Sequence, residues 1–185
     1  MSGRRIVLFV DECHLLWGDL CGYGWGPKGQ PNTVPMTNTK SRQTYYGGLD
    51  LCTGQMVVKA FDKGNSECTI AFLDFLQQQF PDQLLTLIWD GATYHTSAAV
   101  RTYLTELNDD LAQEQWLITC IKLAPHAPEQ NPIETVWGVA KNLLQKNYHH
   151  LPSFAKVKHF FANSIQDRLF NFKNLVAYQH LAQII

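Results

Sequence analysis

The chain has 185 residues, of which 45% are hydrophobic and 17% charged, and its formal net charge is −1. This composition is typical of one globular domain, or of one domain with a small appendage, and excludes a disordered chain or a coiled coil. No apolar run reaches the roughly 18 residues that a membrane span needs, and the five cysteines form no CxxC pair. We therefore expect a cytoplasmic protein with reduced thiols and no membrane contact.

The charge is distributed unevenly along the chain. Residues 1–133 carry nine Lys or Arg and 14 Asp or Glu, whereas residues 134–185 carry six and two. This asymmetry indicates an acidic site beside a basic, helical flank, although a solvated helix face gives the same pattern.

The first part of the chain is rich in strand patterns. Residues 4–11 form a short, β-branched apolar run, which favours a buried strand that ends at Asp11. Residues 18–40 are rich in Gly, Pro, Asn and Thr and predict a long connection, of the kind that is usually functional or mobile. Two β-rich runs within 44–61, separated by Cys52-Thr53-Gly54, predict a hairpin.

Helices and strands then alternate. Asn65 or Ser66 is suited to cap a helix that Pro81 ends, and a buried strand at 84–90 also ends on an aspartate, Asp90. The remaining predicted elements are a helix at 96–107, a strand at 116–123, and helices at 133–146, 154–169 and 175–185. This order predicts an α/β domain with a mixed five-stranded sheet flanked by helices, followed by extra C-terminal helices.

Two of the predicted strands end on a carboxylate, at Asp11 and Asp90. Ligands bind outside the carboxyl ends of strands in α/β sheets, so these side chains converge if the two strands are parallel neighbours. An aspartate at a strand end is also a common turn residue. Each aspartate alone is therefore weak evidence of a site.

A third acidic residue lies in a strong helix start. Asn131 is a good N-cap, Pro132 suits the first helical position, and Glu134 takes the third. A variant of the capping box explains these residues without catalysis. A glutamate in a first helical turn is nevertheless well placed to face a pair of aspartates.

Three carboxylates within a few ångströms of one another would repel unless a divalent cation neutralised them. Oxygen ligands without Cys or His favour Mg²⁺ or Mn²⁺. Two such ions, about 3.5–4 Å apart, activate a nucleophile and stabilise the leaving oxygen in phosphoryl transfer. We therefore predict two Mg²⁺ or Mn²⁺ ions per site, held by Asp11, Asp90 and Glu134.

Four segments carry a resemblance to a known family. They are Asp11-Glu12, GYGWGPKGQ at 22–30, WDGATYH at 89–95 and LAPHAPEQNPIETVW at 123–137. Through them, roughly residues 4–150 resemble the catalytic domain of mariner-superfamily bacterial insertion-sequence transposases, which are DDE enzymes with a ribonuclease-H-like fold. The resemblance implies that Asp11, Asp90 and Glu134 are the catalytic, metal-binding triad. It also implies a catalytic domain at 1–150, with a helical extension at 151–185 packed on it.

The chain departs from the family pattern in three ways. Asp90 and Glu134 are 44 positions apart, a longer gap than usual, which we assign to an insertion near 106–115. His126 stands where the family commonly has an aromatic residue. The chain also begins at the first strand of the catalytic domain, without the helix-turn-helix module that reads terminal repeats. We expect a separately encoded polypeptide to supply that module, or the chain to be a partial or decayed element.

Further residues are candidates for auxiliary roles. His95 is suited either to contact a phosphate or the attacking group, or to a structural bond with a loop carbonyl, and Asn131 is the second auxiliary candidate. The candidates for binding DNA phosphates are Lys28, Lys40 and Arg42, although loop lysines are mostly solvated.

Glu12 and the aromatic residues rank lower. Glu12 points away from the site if its strand continues, and Trp137 is most simply a core residue that holds its helix to the sheet. Trp17, Tyr23 and Trp25 are suited to stack on unpaired bases, or to anchor the long connection, which has a brief predicted strand at 23–25.

The leading hypothesis is a transposase catalytic domain that cleaves DNA at element ends and transfers the freed 3′-hydroxyl to target DNA. Its expected partners are transposon-end and target DNA and a second copy of the chain, in a nucleoid-associated setting. The alternative is a catalytically inactive remnant that acts as a DNA-binding or dimerisation module. A phosphoacceptor receiver domain is a distant third, because the hairpin after the first strand does not suit it.

Overall fold

A five-stranded sheet with helices on both faces forms the centre of the molecule. The computed structural model describes residues 5–21, 27–30, 41–124 and 128–182. The strands are β1 (Arg5–Leu16), β2 (Arg42–Asp50), β3 (Met56–Phe61), β4 (Leu84–Trp89) and β5 (Ile118–Lys122). The helices are α1 (Ser66–Gln79), α2 (Ala98–Leu107), α3 (Ile133–Lys146), α4 (Phe154–Ile165) and α5 (Lys173–Ala182).

The sheet is mixed, as predicted. Its strand order is β3-β2-β1-β4-β5. β2 is antiparallel to β1 and β3, whereas β4 is parallel to β1 and β5. In the parallel pair Phe9 lies opposite Ile88, and Asp11 and Asp90 each follow two residues later. The prediction that their strands are parallel neighbours is therefore confirmed.

The predicted end of the first strand at Asp11 is wrong. β1 continues for five more residues, because β2 pairs with it as far as Leu16 opposite Arg42. The apolar pattern stops at Asp11, whereas the backbone pairing with β2 does not. Asp11 therefore lies within β1 and not at its end. The parallel pairing with β4 stops before Asp11, whereas the antiparallel pairing with β2 continues past it.

The hairpin between β2 and β3 has the predicted turn. Asp50 Oδ1 accepts hydrogen bonds from the backbone N–H groups of Cys52 and Thr53, at 2.7 and 3.1 Å. Gly54 has a φ of +71°, and a Cβ there would clash with the carbonyl oxygen of Phe170. The turn thus needs glycine both for its conformation and for the close approach of the C-terminal segment.

Side-chain caps begin three of the helices. Asn65 accepts from the N–H of Cys68 at the start of α1, and Ser97 and Ser153 do the same for α2 and α4. Helix α3 has the predicted bounds. No helix among the described residues combines the length and the hydropathy needed to cross a bilayer.

Helix α4 ends earlier than predicted, at Ile165 instead of 169. The chain beyond it pairs with the hairpin: Asp167 N donates to Met56 O, and Phe170 N donates to Gly54 O. These bonds divert the backbone from the helix before α5, which begins two residues earlier than predicted.

Two separate cores lie on the two faces of the sheet, and β1 contributes to both. Phe9, Cys13 and Leu15 face a core shared with α3, α4 and α5. Leu8 and Val10 face the other core, with α1 and α2. Residues beyond 150 thus pack into the same core as the sheet, and the predicted domain boundary at 150 stays a prediction.

Candidate active site

Asp11 lies in β1 opposite Gly47 of β2, on the face covered by α3. The indole Nε1 of Trp137 donates a hydrogen bond to Asp11 Oδ2 at 3.0 Å. Burial raises the pKa of Asp11 to about 8, and the negative charges of Glu134 and Glu12 add to the rise. Within the described part of the chain no Lys or Arg forms an ion pair with it. A cation beside Asp11 would favour its ionised form and so offset the effects of burial and of the neighbouring negative charges.

Asp90 follows Trp89, the last residue of β4, and 53% of its side chain is exposed. Its Oδ1 accepts from the N–H of Ala92 at 2.9 Å and lies 3.0 Å from His95 Nδ1. The close contact with His95 lowers the pKa of Asp90, and burial opposes this without overcoming it. Asp90 is therefore an ionised carboxylate at the surface.

Glu134 lies in the first turn of α3, at the surface. Desolvation of its carboxyl group raises the pKa of Glu134, and the negative charge of Asp90 contributes to the rise. The ammonium of Lys141 acts in the opposite direction. Glu134 also raises the pKa of Asp11, so it interacts electrostatically with both aspartates.

The three predicted ligands thus interact through their charges, but they do not form a closed cluster. Among the residues that the structure describes, no group of three His, Cys, Asp or Glu side chains is close enough to hold one ion. The donor chemistry suits a hard divalent cation, since all three groups are carboxylates and two have raised pKa values. Their assignment as catalytic and metal-binding residues stays a prediction.

Asn131 is buried, with 4% exposure, and links α3 to β1. Its Nδ2 donates to the carbonyl oxygen of Val10 at 3.1 Å. Pro132 is already helical, and Asn131 Oδ1 accepts a hydrogen bond from the N–H of Ile133 at 3.4 Å, so Asn131 caps α3 as predicted. The reciprocal bond of a capping box, from the Glu134 side chain to Asn131, is not found among the described residues. The second bond of Asn131, to a carbonyl beside Asp11, is one that local sequence does not reveal.

Glu12 faces the opposite side of β1, as expected, but it is not a free residue. Its Oε1 lies 2.8 Å from His95 Nε2, and its Oε2 accepts from the hydroxyl of Tyr94 at 2.8 Å. The side chains of His95 and Glu12 are 0% and 3% exposed. Burial alone would lower the pKa of His95, but its contacts with Asp90 and Glu12 outweigh burial and raise it to about 9. His95 is thus a buried imidazolium between Glu12 and Asp90, and its auxiliary role in the site stays a prediction.

The predicted DNA-binding residues are only partly within the described chain. Lys28 and Arg42 are exposed, whereas Lys40, His126 and the predicted strand at 23–25 lie outside the described residues. Their DNA contacts stay predictions. Trp17 stacks on Phe154 with ring centroids 6.2 Å apart, which agrees with an anchoring role.

Sequence reasoning missed two contacts of the site. One is the Trp137 bond to Asp11, which the general need of a buried indole N–H for an acceptor could have suggested. The other is the Glu12–His95 pair. Glu12 shares a face with Leu8 and Val10, and a carboxylate on a core-facing side of a strand needs a partner.

A family model described as DDE superfamily endonuclease matches residues 6–156. A search of curated proteins found no match.

Three solved structures with similar folds have low sequence identity. A chain of the simian T-cell lymphotropic virus intasome in complex with PP2A regulatory subunit B56 gamma is 12% identical, with a TM-score of 0.60 over 97% of this chain and 56% of that one. The HTLV-2 integrase catalytic core domain in complex with magnesium, in its dimeric form, is 15% identical, with a TM-score of 0.53 over 97% of both chains. The Mos1 mariner paired end complex with Mn is 16% identical, with a TM-score of 0.50 over 86% of this chain and 55% of that one.

At these identities the structural similarities establish the fold, which is ribonuclease-H-like. The chain spans about half the length of the intasome and Mos1 chains that it matches. The family match, by contrast, covers most of this chain. The protein belongs to the DDE superfamily endonucleases.

Proposed function

We propose that this protein is the catalytic domain of a transposase, which cleaves DNA at transposon ends and joins the freed 3′-hydroxyl to target DNA. The observation that carries the proposal is that Glu134 interacts electrostatically with both Asp11 and Asp90. The two aspartates lie at adjoining positions of β1 and of the segment after β4, and Glu134 lies at the start of α3. Burial and the charges of Glu134 and Glu12 disfavour the ionised form of Asp11, which has no Lys or Arg ion pair among the described residues. A divalent cation would offset these effects and favour the carboxylate.

In this proposal the three carboxylates hold two Mg²⁺ or Mn²⁺ ions. When bound, such ions would activate the attacking oxygen and stabilise the leaving oxygen of a phosphodiester. In cleavage, the oxygen of water would lose a proton and bond to phosphorus as the bond to the 3′-oxygen breaks, and that 3′-oxygen would leave as a hydroxyl. In transfer, the 3′-hydroxyl would lose its proton and bond to a target phosphorus as the bond from that phosphorus to the target strand's 3′-oxygen breaks, which would leave a 3′-hydroxyl on the target.

The chain's own residues fix the carboxylates. Trp137 orients Asp11 by donating to Oδ2, and the N–H of Ala92 orients Asp90 by donating to Oδ1. Asn131 fixes the start of α3 against β1, which sets the position of Glu134.

The proposed partners are transposon-end DNA, target DNA and a second copy of this chain. Structures of similar fold include a mariner paired end complex with Mn and a dimeric integrase core with magnesium. Lys28, Lys40 and Arg42 are the proposed phosphate contacts, and a separately encoded helix-turn-helix polypeptide is the proposed reader of terminal repeats. We propose a nucleoid-associated location.

The test is nicking of supercoiled plasmid, which does not require knowledge of the terminal repeat. We expect nicking in Mn²⁺ or Mg²⁺ and none in excess EDTA. Asp90→Asn should lower the rate by roughly 100-fold or more, because an acidic ligand is lost with little change in shape.

The matched control is Asp109→Asn, at an exposed position in the turn after α2, which should nick at the wild-type rate. Circular dichroism establishes that both variants are folded. Wild-type nicking by folded Asp90→Asn would overturn the proposed site.

The alternative function, an inactive DNA-binding or dimerisation module, has one observation in its favour. The described side chains form no ready-made three-ligand metal group. Such a module would bind DNA without nicking it in either metal, and its DNA affinity would be the same for wild type and Asp90→Asn.

A further inference from the structure

The imidazole of His95 is fixed on several sides. Its ring stacks on Trp89 of β4, with centroids 4.4 Å apart and planes within 3°. The rings of Tyr94 and His95 are nearly perpendicular, with centroids 4.7 Å apart. Oε1 of Glu12 in β1 lies 2.8 Å from His95 Nε2. Since the side chain has no exposed surface, it has little freedom to move.

Glu12 is fixed in turn. Its second oxygen accepts from the Tyr94 hydroxyl at 2.8 Å, so both carboxylate oxygens have partners. Tyr94 and His95 follow β4, whereas Glu12 belongs to β1. The pair therefore joins the two parallel strands on the face opposite Asp11.

The remaining nitrogen of His95 points towards the proposed site. Nδ1 is buried and makes no aligned hydrogen bond, but it lies 3.0 Å from Asp90 Oδ1. That oxygen also accepts from the N–H of Ala92. No partner of Asp90 Oδ2 is found among the described residues, so one oxygen of this half-exposed carboxylate is held and the other is available.

From this arrangement we propose that Glu12 and His95 are positioning residues, which hold Asp90 Oδ1 so that Oδ2 is presented to a divalent cation. The inference rests on the proposed function. Carboxylate oxygens accept hydrogen bonds, and each ring nitrogen of His95 faces one of them: Nε2 lies 2.8 Å from Glu12 Oε1, and Nδ1 lies 3.0 Å from Asp90 Oδ1. Groups that orient a metal-binding side chain typically change metal affinity by about 10- to 100-fold when they are replaced.

A purely structural role accounts less well for the pair. Burying two charged groups is costly, and a buried ion pair is weak evidence for stabilisation by itself. His95 contacts both Glu12 and the half-exposed Asp90, so the pair is well placed to orient the carboxylate of Asp90.

Two substitutions of His95 separate the two roles. His95→Gln places an amide N–H₂ near the position of Nε2, so it keeps a donor to Glu12 and loses the donor to Asp90. His95→Asn places the amide near Nδ1, so it keeps a donor to Asp90 and loses the contact with Glu12. The measurement is Mn²⁺ affinity of the folded protein without DNA, by titration with detection of free Mn²⁺ by electron paramagnetic resonance.

We expect His95→Gln to weaken Mn²⁺ binding by about 10-fold or more, and His95→Asn, which keeps the donor to Asp90 but loses its support by Glu12, to weaken it by only several-fold. The matched control, His159→Gln, replaces an exposed histidine of α4 that contacts Asn163, and should bind Mn²⁺ as wild type does. Equal affinities of wild type, His95→Gln and His95→Asn, or equal losses in both variants, would overturn the proposal.

Glu12→Gln decides the matter if the His95 variants do not fold. It keeps the shape of Glu12 and should weaken Mn²⁺ binding by several-fold, whereas unchanged affinity would overturn the inference. If the proposed function is wrong, the wild-type protein itself binds no Mn²⁺ and nicks no plasmid. If only the positioning role is wrong, the wild-type protein still binds Mn²⁺ and nicks plasmid.

Discussion

Asp11 and Glu12 are adjacent carboxylates in one strand, yet they lie in opposite electrostatic environments. Asp11 faces α3, receives one hydrogen bond from Trp137, and is repelled by Glu134. Glu12 faces the other side of the sheet, where a buried imidazolium and a tyrosine hydroxyl bind both of its oxygens.

The difference shows how one strand can supply two kinds of acidic residue. The alternation of side chains across the sheet sends neighbouring residues to different faces. One face provides an internal cation, His95, which binds the carboxylate of Glu12. The other face provides none, so the carboxylate there is suited to an external cation.

The largest effect that tests this comparison is on stability. In EDTA at pH 7, Glu12→Gln should lower the free energy of unfolding by roughly 3 kcal/mol, because it removes one of the two carboxylates that surround a buried imidazolium. Asp11→Asn should raise it by about 1–2 kcal/mol, because the raised pKa means that Asp11 must take up a proton on folding at pH 7, a cost that asparagine does not have. Urea unfolding measures both.

Glu67→Gln is the matched control for these variants, since the Glu67 side chain is 86% exposed, and it should change stability by less than about 0.5 kcal/mol. Changes of the same sign in Glu12→Gln and Asp11→Asn would contradict the contrast between the two faces.

The two faces should also titrate in different pH ranges. The folded pKa of Asp11, about 8, lies above its ordinary value of 3.8, so the folded state binds more protons and stability falls as pH rises from about 4 to 8. The folded pKa of His95, about 9, lies above 6.5, so its stabilisation is full below pH 6.5 and is lost as pH rises through 9.

Unfolding in urea from pH 4 to 9, in EDTA, should therefore show a loss of about 2–3 kcal/mol for wild type. Asp11→Asn should reduce the loss between pH 4 and 6, and His95→Gln should reduce it between pH 6.5 and 9. A wild-type stability that rises across the lower range would refute the assignment for Asp11.

Two neighbouring glycines provide a smaller, packing-based test. A Cβ at Gly47 would lie 2.6 Å from Trp137 Cη2, whereas a Cβ at Gly48 would meet Val57 Cγ2 at 3.3 Å. Gly47→Ala should destabilise by about 1–3 kcal/mol through overpacking and displace the indole from Asp11, and Gly48→Ala by less than about 1 kcal/mol. Equal losses of unfolding free energy in the two variants, measured in denaturant, would show that the face of the sheet that bears Asp11 is not more tightly packed than the other face.

The predictable parts of the fold are those that local sequence determines. The bounds of α3, the hairpin and the cap of α1 at Asn65 follow from periodicity, turn residues and capping side chains, and all were confirmed. The end of β1 was not predictable in this way, because its last residues are held by backbone pairing with β2, about 30 positions away along the chain.

The same limit applies to the candidate site. The three acids could be selected from their positions, two at predicted strand ends and one in the first turn of a predicted helix. The partners of those acids lie far away in sequence: Trp137 is 126 positions from Asp11, His95 is 83 from Glu12, and Asn131 is 121 from Val10. Pairings of this kind depend on how the sheet and helices assemble, which no local pattern encodes.

The central claim is that Asp11, Asp90 and Glu134 share divalent cations. A crystal structure of the wild-type protein grown in Mn²⁺, with anomalous diffraction data, tests it most directly. Our account predicts anomalous peaks bounded by carboxylate oxygens of these three residues. Ordered side chains of all three at saturating Mn²⁺, with no anomalous peak between them, would contradict it.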